Sequence, residues 1–358
     1  MRVIVVGSGI VGAVTAYHLA VDGAEVLLVD AGHPGQATFA GAGIVAPWPI
    51  YRSEDPDFWW AAADQYPRLL DRLATDGEPD PGYTRVGAIT VSEEPLDPSP
   101  VYQARARDAS IGEVKILGPG EPAARFPALS PALSGLYVGG VGRVDGRLLQ
   151  AALLRAAARH GARTLSGTAE LVSAGSRVTG VSIDGEVHGA HAVVVAAGAW
   201  TATLCAPLGV DVPVEPQRGQ IAHLTLSDVD TAGWPAIRSV HDHYLLAFPG
   251  GRIVAGATRE TGAGFSFRQT AAGVHRILAD ALAIAPGLAD ATLDSVRVGF
   301  RPLSRTGRPI LGSPRPGLVV ATGLGPSGLT LAPLTGMVAA ALALDRPVPF
   351  DLGPYTPS

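Results

Sequence analysis

The chain opens with a strand pattern, a glycine-rich turn and a helix pattern in immediate succession, within "RVIVVGSGIVGAVTAYHLA". Val3 to Val6 form a continuous β-branched run, which is typical of a central parallel strand. Gly7, Gly9 and Gly12 follow in the G-x-G-x-x-G spacing that lets a pyrophosphate approach the first turn of a helix. This unit predicts an α/β, Rossmann-like domain that binds a dinucleotide.

An acidic residue follows at the distance that such a site requires. A helix pattern over 10–21 leads to a second strand over 25–29, which ends at Asp30, about 20 residues after Gly9. Its carboxylate is predicted to accept hydrogen bonds from ribose hydroxyls, which leaves both NAD and FAD open. The next stretch, "GQATFAGAGIVAPW", is rich in Gly and Ala and predicts a loop that lies against a bulky planar ring system. That loop favours FAD.

A second strand–glycine–helix pattern lies near the C-terminus, in "VVATGLGPSGLTLAPLTG" at residues 319–336. Between the two units, an amphipathic helix over 146–161 and strands up to residue 196 continue the first domain. Residues 214–300 show alternating strands, with a hairpin around Pro249. We therefore predict a discontinuous cofactor domain of residues 1–82, 146–213 and 302–358. An inserted, mostly antiparallel α+β substrate domain is expected over 83–145 and 214–301.

Composition narrows the function classes. The 358 residues suffice for two domains, and the net charge of −5 without a basic block gives no support for nucleic-acid binding. Cys205 is the only cysteine, which excludes an intrachain disulfide and a zinc–thiolate cluster, and we predict no metal site. The apolar runs are strand-length or broken by Pro, so no transmembrane helix is expected. A cytoplasmic protein is predicted.

The order of these landmarks resembles the D-amino-acid oxidase superfamily, which includes glycine oxidase, sarcosine oxidase and D-amino-acid dehydrogenase-like proteins. The resemblance extends over nearly the whole chain and rests on "VIVVGSGIVGAVTAYHLA", "ATFAGAGIVAP", "AVVVAAGAW", "PQRGQ", "GRIVAGAT", "FRPLSRTGRPILG" and "ATGLGPSGLTLAP". It implies hydride transfer from the carbon next to an amine to N5 of a bound FAD. The imino acid that forms is then hydrolysed by water, and oxygen or another acceptor reoxidises the flavin.

The resemblance also implies that both glycine units serve one FAD, the first at the pyrophosphate and the second at the pyrimidine edge of the flavin. A helix N-terminus at that edge stabilises the negative charge that reduction brings. Because Cys205 does not match the position at which sarcosine oxidases tether flavin, non-covalent FAD is expected. The implied cofactor-binding residues are Gly7, Gly9, Ile10, Val11, Gly12, Asp30, Ala31, Ala37, Thr38, Ala42, Gly43, Ile44, Glu170, Gly198, Gly325, Pro326, Ser327, Gly328, Leu329 and Thr330.

Two residues are the implied substrate-binding groups. Arg301 lies where the family keeps an arginine that binds the substrate carboxylate, and Tyr244 matches a tyrosine on the substrate side in glycine oxidase. His241 and His243 are predicted to alternate with Tyr244 along a strand and to face away from it. Neither histidine receives a catalytic role.

One position departs from the resemblance, because glycine oxidase has a second carboxylate-binding arginine in the late glycine turn, where this chain has Pro326. Glycine held in the same way is therefore not the expected substrate. A D-amino acid is favoured; a secondary amine of the sarcosine, proline or opine type and a 2-hydroxy acid stay open. An NAD-dependent dehydrogenase and a non-catalytic flavin-binding subunit are the alternatives from other classes. Arg305 and Arg308, in a nearby turn-like stretch, are assigned no role.

Overall fold

The computed structural model describes residues 1–50, 55–348 and 350–357. Its strands, in chain order, are β1 Arg2–Val6, β2 Glu25–Asp30, β3 Ile44–Val45, β4 Tyr83–Arg85, β5 Ala88–Ser92, β6 Val114–Leu117, β7 Ser134–Val138, β8 Gly142–Val144, β9 Arg163–Ser166, β10 Ala169–Ala174, β11 Arg177–Ile183, β12 Glu186–Gly189, β13 Ala192–Val195, β14 Val214–Thr225, β15 Ala236–Ser239, β16 Tyr244–Ala247, β17 Arg252–Gly256, β18 Thr292–Ser304, β19 Ile310–Arg315 and β20 Leu318–Thr322. Its α-helices are α1 Ile10–Val21, α2 Ala37–Ala40, α3 Pro56–Ala63, α4 Gln65–Thr75, α5 Ser99–Arg107, α6 Glu121–Arg125, α7 Gly146–Arg159, α8 Thr201–Cys205, α9 Ala271–Ile284 and α10 Gly328–Ala343.

A six-stranded sheet brings the two glycine units to the same edge, with strand β13 between them. Its order is β19-β20-β13-β1-β2-β9, and all neighbours are parallel except the β19–β20 pair. The apolar runs of β1, β13 and β20 are buried, as expected of parallel strands that are covered on both faces. Parallel strands end at one edge of the sheet, so the turns after β1 and β20 lie at the same edge.

The helices that follow these two turns pack directly against each other. A Cβ added at Gly336 of α10 would come within 2.6 Å of the Val14 side chain of α1, so glycine allows this close contact. Leu331 and Leu334 of α10 share a buried cluster with Leu19 of α1. Helices α1 and α10 therefore leave the sheet side by side.

An eight-stranded sheet forms the second part of the fold. Its order is β18-β14-β17-β16-β15-β5-β7-β6, and only the β15–β5 pair is parallel among these described strands. The predicted hairpin is present, since β16 and β17 pair across the turn that contains Pro249. The predicted α/β class with a mostly antiparallel second part is confirmed.

Several local expectations differ from the structure. The small-residue stretch after Asp30 is not entirely a loop, because it contains helix α2 and strand β3. Strands β4 and β8, at the ends of the predicted 83–145 segment, pair with each other and β8 pairs with β3, outside the eight-stranded sheet. Strand β18 runs three residues past Arg301, to Ser304. The exact domain ranges stay a prediction.

One helical stretch has the length and apolar composition of a membrane span. It covers Gly325–Ala343, within the part of the chain that the structure describes. However, 67% of its apolar window is buried inside the protein, against α1 and the six-stranded sheet. Core packing accounts for this apolar composition.

Two histidines with lowered pKa values predict acid sensitivity. Burial, with a smaller contribution from neighbouring arginines, lowers the pKa of His223 in β14 and of His18 in α1 from 6.5 to about 4. The unfolded chain then binds more protons than the folded one between these pH values, so the free energy of unfolding decreases on acidification through this window. We expect denaturant titrations from pH 7 to 4.5 to show this slope, and His223→Gln to reduce it. An equal slope in that variant contradicts the assignment to His223.

Candidate active site

A cavity of about 680 Å³ lies between the turn edge of the six-stranded sheet and one face of the eight-stranded sheet. This volume is in the range of ligand-binding pockets. All the residues implied for the cofactor and substrate line it, except Gly12, Ser327 and Thr330. The cavity runs from Asp30 and Glu170 at one end, past Gly9, to Arg301 and Tyr244 at the other.

The tip of α1 has the features of a phosphate site. The N-cap residue Gly9 has no side chain to cap this helix, and the Ile10 amide donates a hydrogen bond to Thr38 Oγ1, outside the helix, at 2.9 Å. A Cβ at Gly9 would meet only Thr38 Oγ1, at 3.4 Å, and would otherwise extend into the cavity. Gly12 has a different function, because a Cβ there would overlap the Gly7 carbonyl and separate α1 from β1.

Asp30 holds the glycine turn as well as lining the cavity. Its Oδ2 accepts hydrogen bonds from the Ser8 amide at 2.6 Å and from Ser8 Oγ at 2.7 Å. Its Oδ1 accepts from the Gly32 amide at 2.7 Å and from Gln36 Nε2 at 3.0 Å. A carboxylate accepts about four hydrogen bonds, so a ribose hydroxyl has to replace one of these donors or share its oxygen.

The N-terminal tip of α10 also borders the cavity. Gly325, Pro326, Gly328 and Leu329 line the cavity, and no side chain caps α10. Gly328 offers open space, since among the described residues no atom beyond its chain neighbours and its own helix backbone lies within 4 Å of a Cβ built there. The helix start is fixed from outside, because the Tyr66 hydroxyl donates to the Leu329 carbonyl at 2.6 Å.

Besides Gly12, two implied residues lie outside the cavity lining, Thr330 and Ser327, and both support the cavity walls. Thr330 Oγ1 donates to the Ile44 carbonyl at 3.0 Å and so ties α10 to the small-residue stretch. Ser327 is buried, and its amide donates to the Leu324 carbonyl at 3.0 Å within the turn before α10.

Both implied substrate-binding side chains lie over glycines of neighbouring strands. A Cβ at Gly219, within the "PQRGQ" motif of β14, would overlap the Arg301 guanidinium, and one at Gly256 of β17 would come within 2.6 Å of Tyr244 Oη. Arg301 Nη1 donates to the Thr258 carbonyl at 3.0 Å. These glycines therefore allow Arg301 and Tyr244 to lie flat on the sheet at the end of the cavity.

Arg301 has no carboxylate partner among the described residues. Burial lowers its pKa below the ordinary arginine value, and Arg259 lowers it further, whereas Tyr244 favours the charged form. Burial also raises the pKa of the Tyr244 phenol, which the two arginines oppose. The phenol is therefore a neutral donor beside a cation that lacks an anion, which is an arrangement suited to a carboxylate ligand.

A second arginine, which the sequence did not reveal as a site residue, lies in this cavity. Arg259 lines it and forms an ion pair with Asp242, which lines it too. The residue follows "GRIVAGAT" directly, but sequence alone gives no direction for a side chain in an irregular segment. Only the pairing of β16 with β17, which brings Tyr244 opposite Gly256, places this segment at the substrate end.

Two aromatic residues of the cavity wall were also missed. The Trp200 ring stacks on His33 with 5.3 Å between centroids, and on Phe265 with 4.9 Å. His33 and Trp200 both line the cavity. Trp200 ends the quoted "AVVVAAGAW" segment, so the sequence marked its position, but its stacking partners come from distant segments.

The predicted strand alternation of His241, His243 and Tyr244 is wrong. Strand β16 begins only at Tyr244, and the residues between Ser239 and His243 form a turn in which Asp242 has φ +65°. Neither histidine lines the cavity, His241 being exposed and His243 buried. A left-handed residue before the strand interrupts the period-two pattern on which the prediction depended.

Taken together, these residues fit an elongated dinucleotide with a flat ring system. The two uncapped helix tips provide N–H donors and positive dipole ends, and glycines at both tips leave the space open. Ala42, Gly43 and Ile44, from the stretch after Asp30, also line the cavity. An FAD with its pyrophosphate at α1 and its flavin near α10 agrees with this arrangement.

Comparison with known sequences gives consistent matches. Residues 2–342 match the DAO family model, which is described as FAD dependent oxidoreductase. The chain is 43% identical to the uncharacterized oxidoreductase YurR of Bacillus subtilis, covering 99% of this chain and 98% of the relative. It is 33% identical to a glycine oxidase of Pseudomonas aeruginosa, covering 100% and 98% of the two chains.

Solved structures of oxidases superpose on nearly the whole chain. The iminodiacetate oxidase of Chelativorans sp. BNC1 superposes with a TM-score of 0.94 at 42% identity, covering 99% of both chains. The glycine oxidase of Geobacillus kaustophilus superposes with a TM-score of 0.86 at 29% identity, covering 100% of this chain and 98% of that one. The similarity therefore includes both sheets and the cavity between them.

Proposed function

The chain belongs to the family of FAD-dependent oxidoreductases that includes amino acid and amine oxidases. We propose that it oxidises a small amine bearing a carboxylate. The bond that is oxidised joins the α-carbon to its hydrogen, next to the amine nitrogen. The product is an imino acid, which water hydrolyses to a keto acid and the released amine. A D-amino acid, which the sequence favours, is the first candidate to be tested.

The state of Arg301 is the observation on which this proposal rests. A partly buried guanidinium without a carboxylate partner among the described residues is costly unless a ligand provides the anion. The neutral Tyr244 phenol beside it supplies a second donor for the same carboxylate. We propose that Arg301 and Tyr244 together bind the substrate carboxylate and thereby fix the orientation of the α-carbon.

The remaining task of the site is positioning. FAD, when bound, supplies the two-electron chemistry by accepting a hydride at its N5 position. Arg301 and Tyr244 hold the substrate by its carboxylate, so the α-C–H has one defined direction relative to the cavity wall formed by Ala42, Gly43 and Ile44. Arg301 and Arg259, which both line the cavity, disfavour a third positive charge nearby. They therefore lower the pKa of the substrate ammonium and favour the reactive neutral amine.

We further propose that FAD is bound non-covalently. Cys205 is fully buried, does not line the cavity, and has a thiol pKa that burial raises to about 12. It is therefore a packing residue and no thiolate nucleophile. The location in the cytoplasm stays a prediction.

Acid precipitation of the yellow protein tests the mode of attachment. We expect all flavin absorbance in the supernatant, and we expect Cys205→Ser to retain the same amount of flavin as the unchanged protein. Colour that stays with the precipitate contradicts non-covalent binding, and colour that is released to the supernatant only in the Cys205→Ser variant assigns a covalent attachment to Cys205.

A secondary amine is the second candidate, because the iminodiacetate oxidase is 42% identical over nearly the full length of both chains. Pro326 in the late glycine turn, in place of the arginine expected by resemblance to glycine oxidase, also favours a substrate held differently from glycine. Either candidate uses Arg301 in the same way.

Anaerobic reduction of the bound flavin separates the candidate functions. The purified yellow protein is mixed with D-amino acids, N-alkyl amino acids and 2-hydroxy acids in turn, and the loss of visible absorbance is recorded. We expect bleaching by a carboxylate-bearing amine and not by its hydroxy-acid counterpart. Bleaching by hydroxy acids alone, or a colourless protein that binds NAD, contradicts the proposal.

A further inference from the structure

The substrate end of the cavity contains two cationic side chains rather than one. Arg301 lies on the sheet, and Arg259 lies on the segment that follows β17; both line the same cavity as Tyr244. Arg301 Nη1 donates to the carbonyl of Thr258, the residue directly before Arg259, at 3.0 Å, so the two arginines lie at the same end of the cavity. One carboxylate at Arg301 leaves Arg259 available for a second anionic group.

The segment that carries Arg259 is held firmly by its neighbour Glu260. Glu260 and Arg218 exchange backbone hydrogen bonds, at 2.9 and 3.2 Å, and their side chains form an ion pair. The Glu260 carboxylate also accepts from Gln220 Nε2 at 2.7 Å and from Thr258 Oγ1 at 2.8 Å. The "PQRGQ" motif, which contributes Arg218 and Gln220, therefore fixes the backbone position of Arg259 relative to the cavity.

The present partner of Arg259 is an exposed carboxylate. Arg259 pairs with Asp242, whose side chain is 76% exposed, whereas that of Arg259 is 43% exposed. An ion pair this accessible to water contributes little and exchanges readily. Once Arg301 and Tyr244 hold the first carboxylate of a ligand, a second carboxylate on the same ligand is a strong competitor for Arg259, because its local concentration is high.

We propose that Arg259 binds a second substrate carboxylate, so that the preferred substrate is a secondary amine with a carboxylate on each side, such as iminodiacetate. This proposal rests on the proposed function, since it assumes that Arg301 binds the first carboxylate. In it, Asp242 holds Arg259 in the free protein and releases it when the second carboxylate arrives. Arg259 and Asp242 then determine substrate preference, while Arg301 is needed for every carboxylate substrate.

Iminodiacetate and sarcosine form a matched pair for the test, because both are secondary amines and only the first has a second carboxylate. In anaerobic flavin reduction we expect Arg259→Met to raise the apparent dissociation constant of iminodiacetate by about tenfold or more, and that of sarcosine by less than about twofold. Asp242→Asn should tighten iminodiacetate binding. Arg268→Met is the control, because Arg268 is an exposed arginine of the same segment outside the cavity.

A binding measurement without turnover gives an independent readout. Thiodiacetate and methylthioacetate replace the amine by sulfur and cannot be oxidised in the same way, and the change in the flavin spectrum reports their binding. We expect Arg259→Met to weaken thiodiacetate selectively. Equal effects on both ligands, or no effect, overturn the role of Arg259 while the proposed function stands. Failure of every amine to reduce the flavin overturns both proposals.

Discussion

Arg301→Ala is expected to lower kcat/KM for carboxylate-bearing amines by about a hundredfold or more, while the protein keeps its FAD. The reason is that a charge-assisted contact at a partly buried site is worth about 3 kcal/mol, and Arg301 is the cation lying beside the Tyr244 phenol. Most of the effect should fall on KM, because the contact exists before the α-C–H bond breaks. Rapid-reaction measurements of flavin reduction check this split.

The neighbouring Arg305 provides the matched control. It follows β18, lies in an exposed ion pair with Asp211 at 3.6 Å, and does not line the cavity. Arg305→Ala should leave the kinetics within about twofold, as expected of a surface ion pair. Added guanidinium ion should partly restore Arg301→Ala, because Gly219 leaves its place on the sheet open. Unchanged kinetics in Arg301→Ala remove this residue from the site.

The sequence predicted the main elements of the fold because the parallel strands have unambiguous patterns. The runs of β1 and β2 are continuous and apolar, and the glycines between β1 and α1 have a spacing with one well-known use. Residues 35–48 were harder to predict. A four-residue helix and a two-residue strand, α2 and β3, are too short to show a period, and contacts with distant segments stabilise them.

The candidate site shows the same division. Arg301 was identified because it lies in "FRPLSRTGRPILG", a segment that resembles the corresponding segment of the family. It also lies in the regular strand β18. Arg259 was missed because it lies in an irregular segment, whose course depends on Glu260 and its contacts to Arg218. His241 and His243 were misplaced because Asp242 adopts a left-handed conformation that no local pattern announces.

Substitution of the glycines at the two helix tips is expected to remove the cofactor without unfolding the protein. In Gly9→Val and in Gly328→Val, the new side chain extends into the cavity rather than into the described residues around it. Each variant should bind FAD about a hundredfold more weakly, a loss of about 3 kcal/mol, because the ligand's contact with the helix N-terminus is blocked. Titration of the apoprotein with FAD, followed by flavin fluorescence, measures this loss.

The comparison with Gly12 separates cofactor binding from folding. A Cβ at Gly12 overlaps the Gly7 carbonyl, so Gly12→Ala should lower the melting temperature of the apoprotein itself, whereas Gly9→Val should leave it nearly unchanged. The Gly328→Val variant, at the tip of α10, distinguishes FAD from NAD, because NAD bound at α1 alone does not require the space at Gly328. If Gly328→Val binds FAD as tightly as the unchanged protein, α10 does not contact the flavin. A loss at both tips is expected only when a single extended molecule contacts α1 and α10 together.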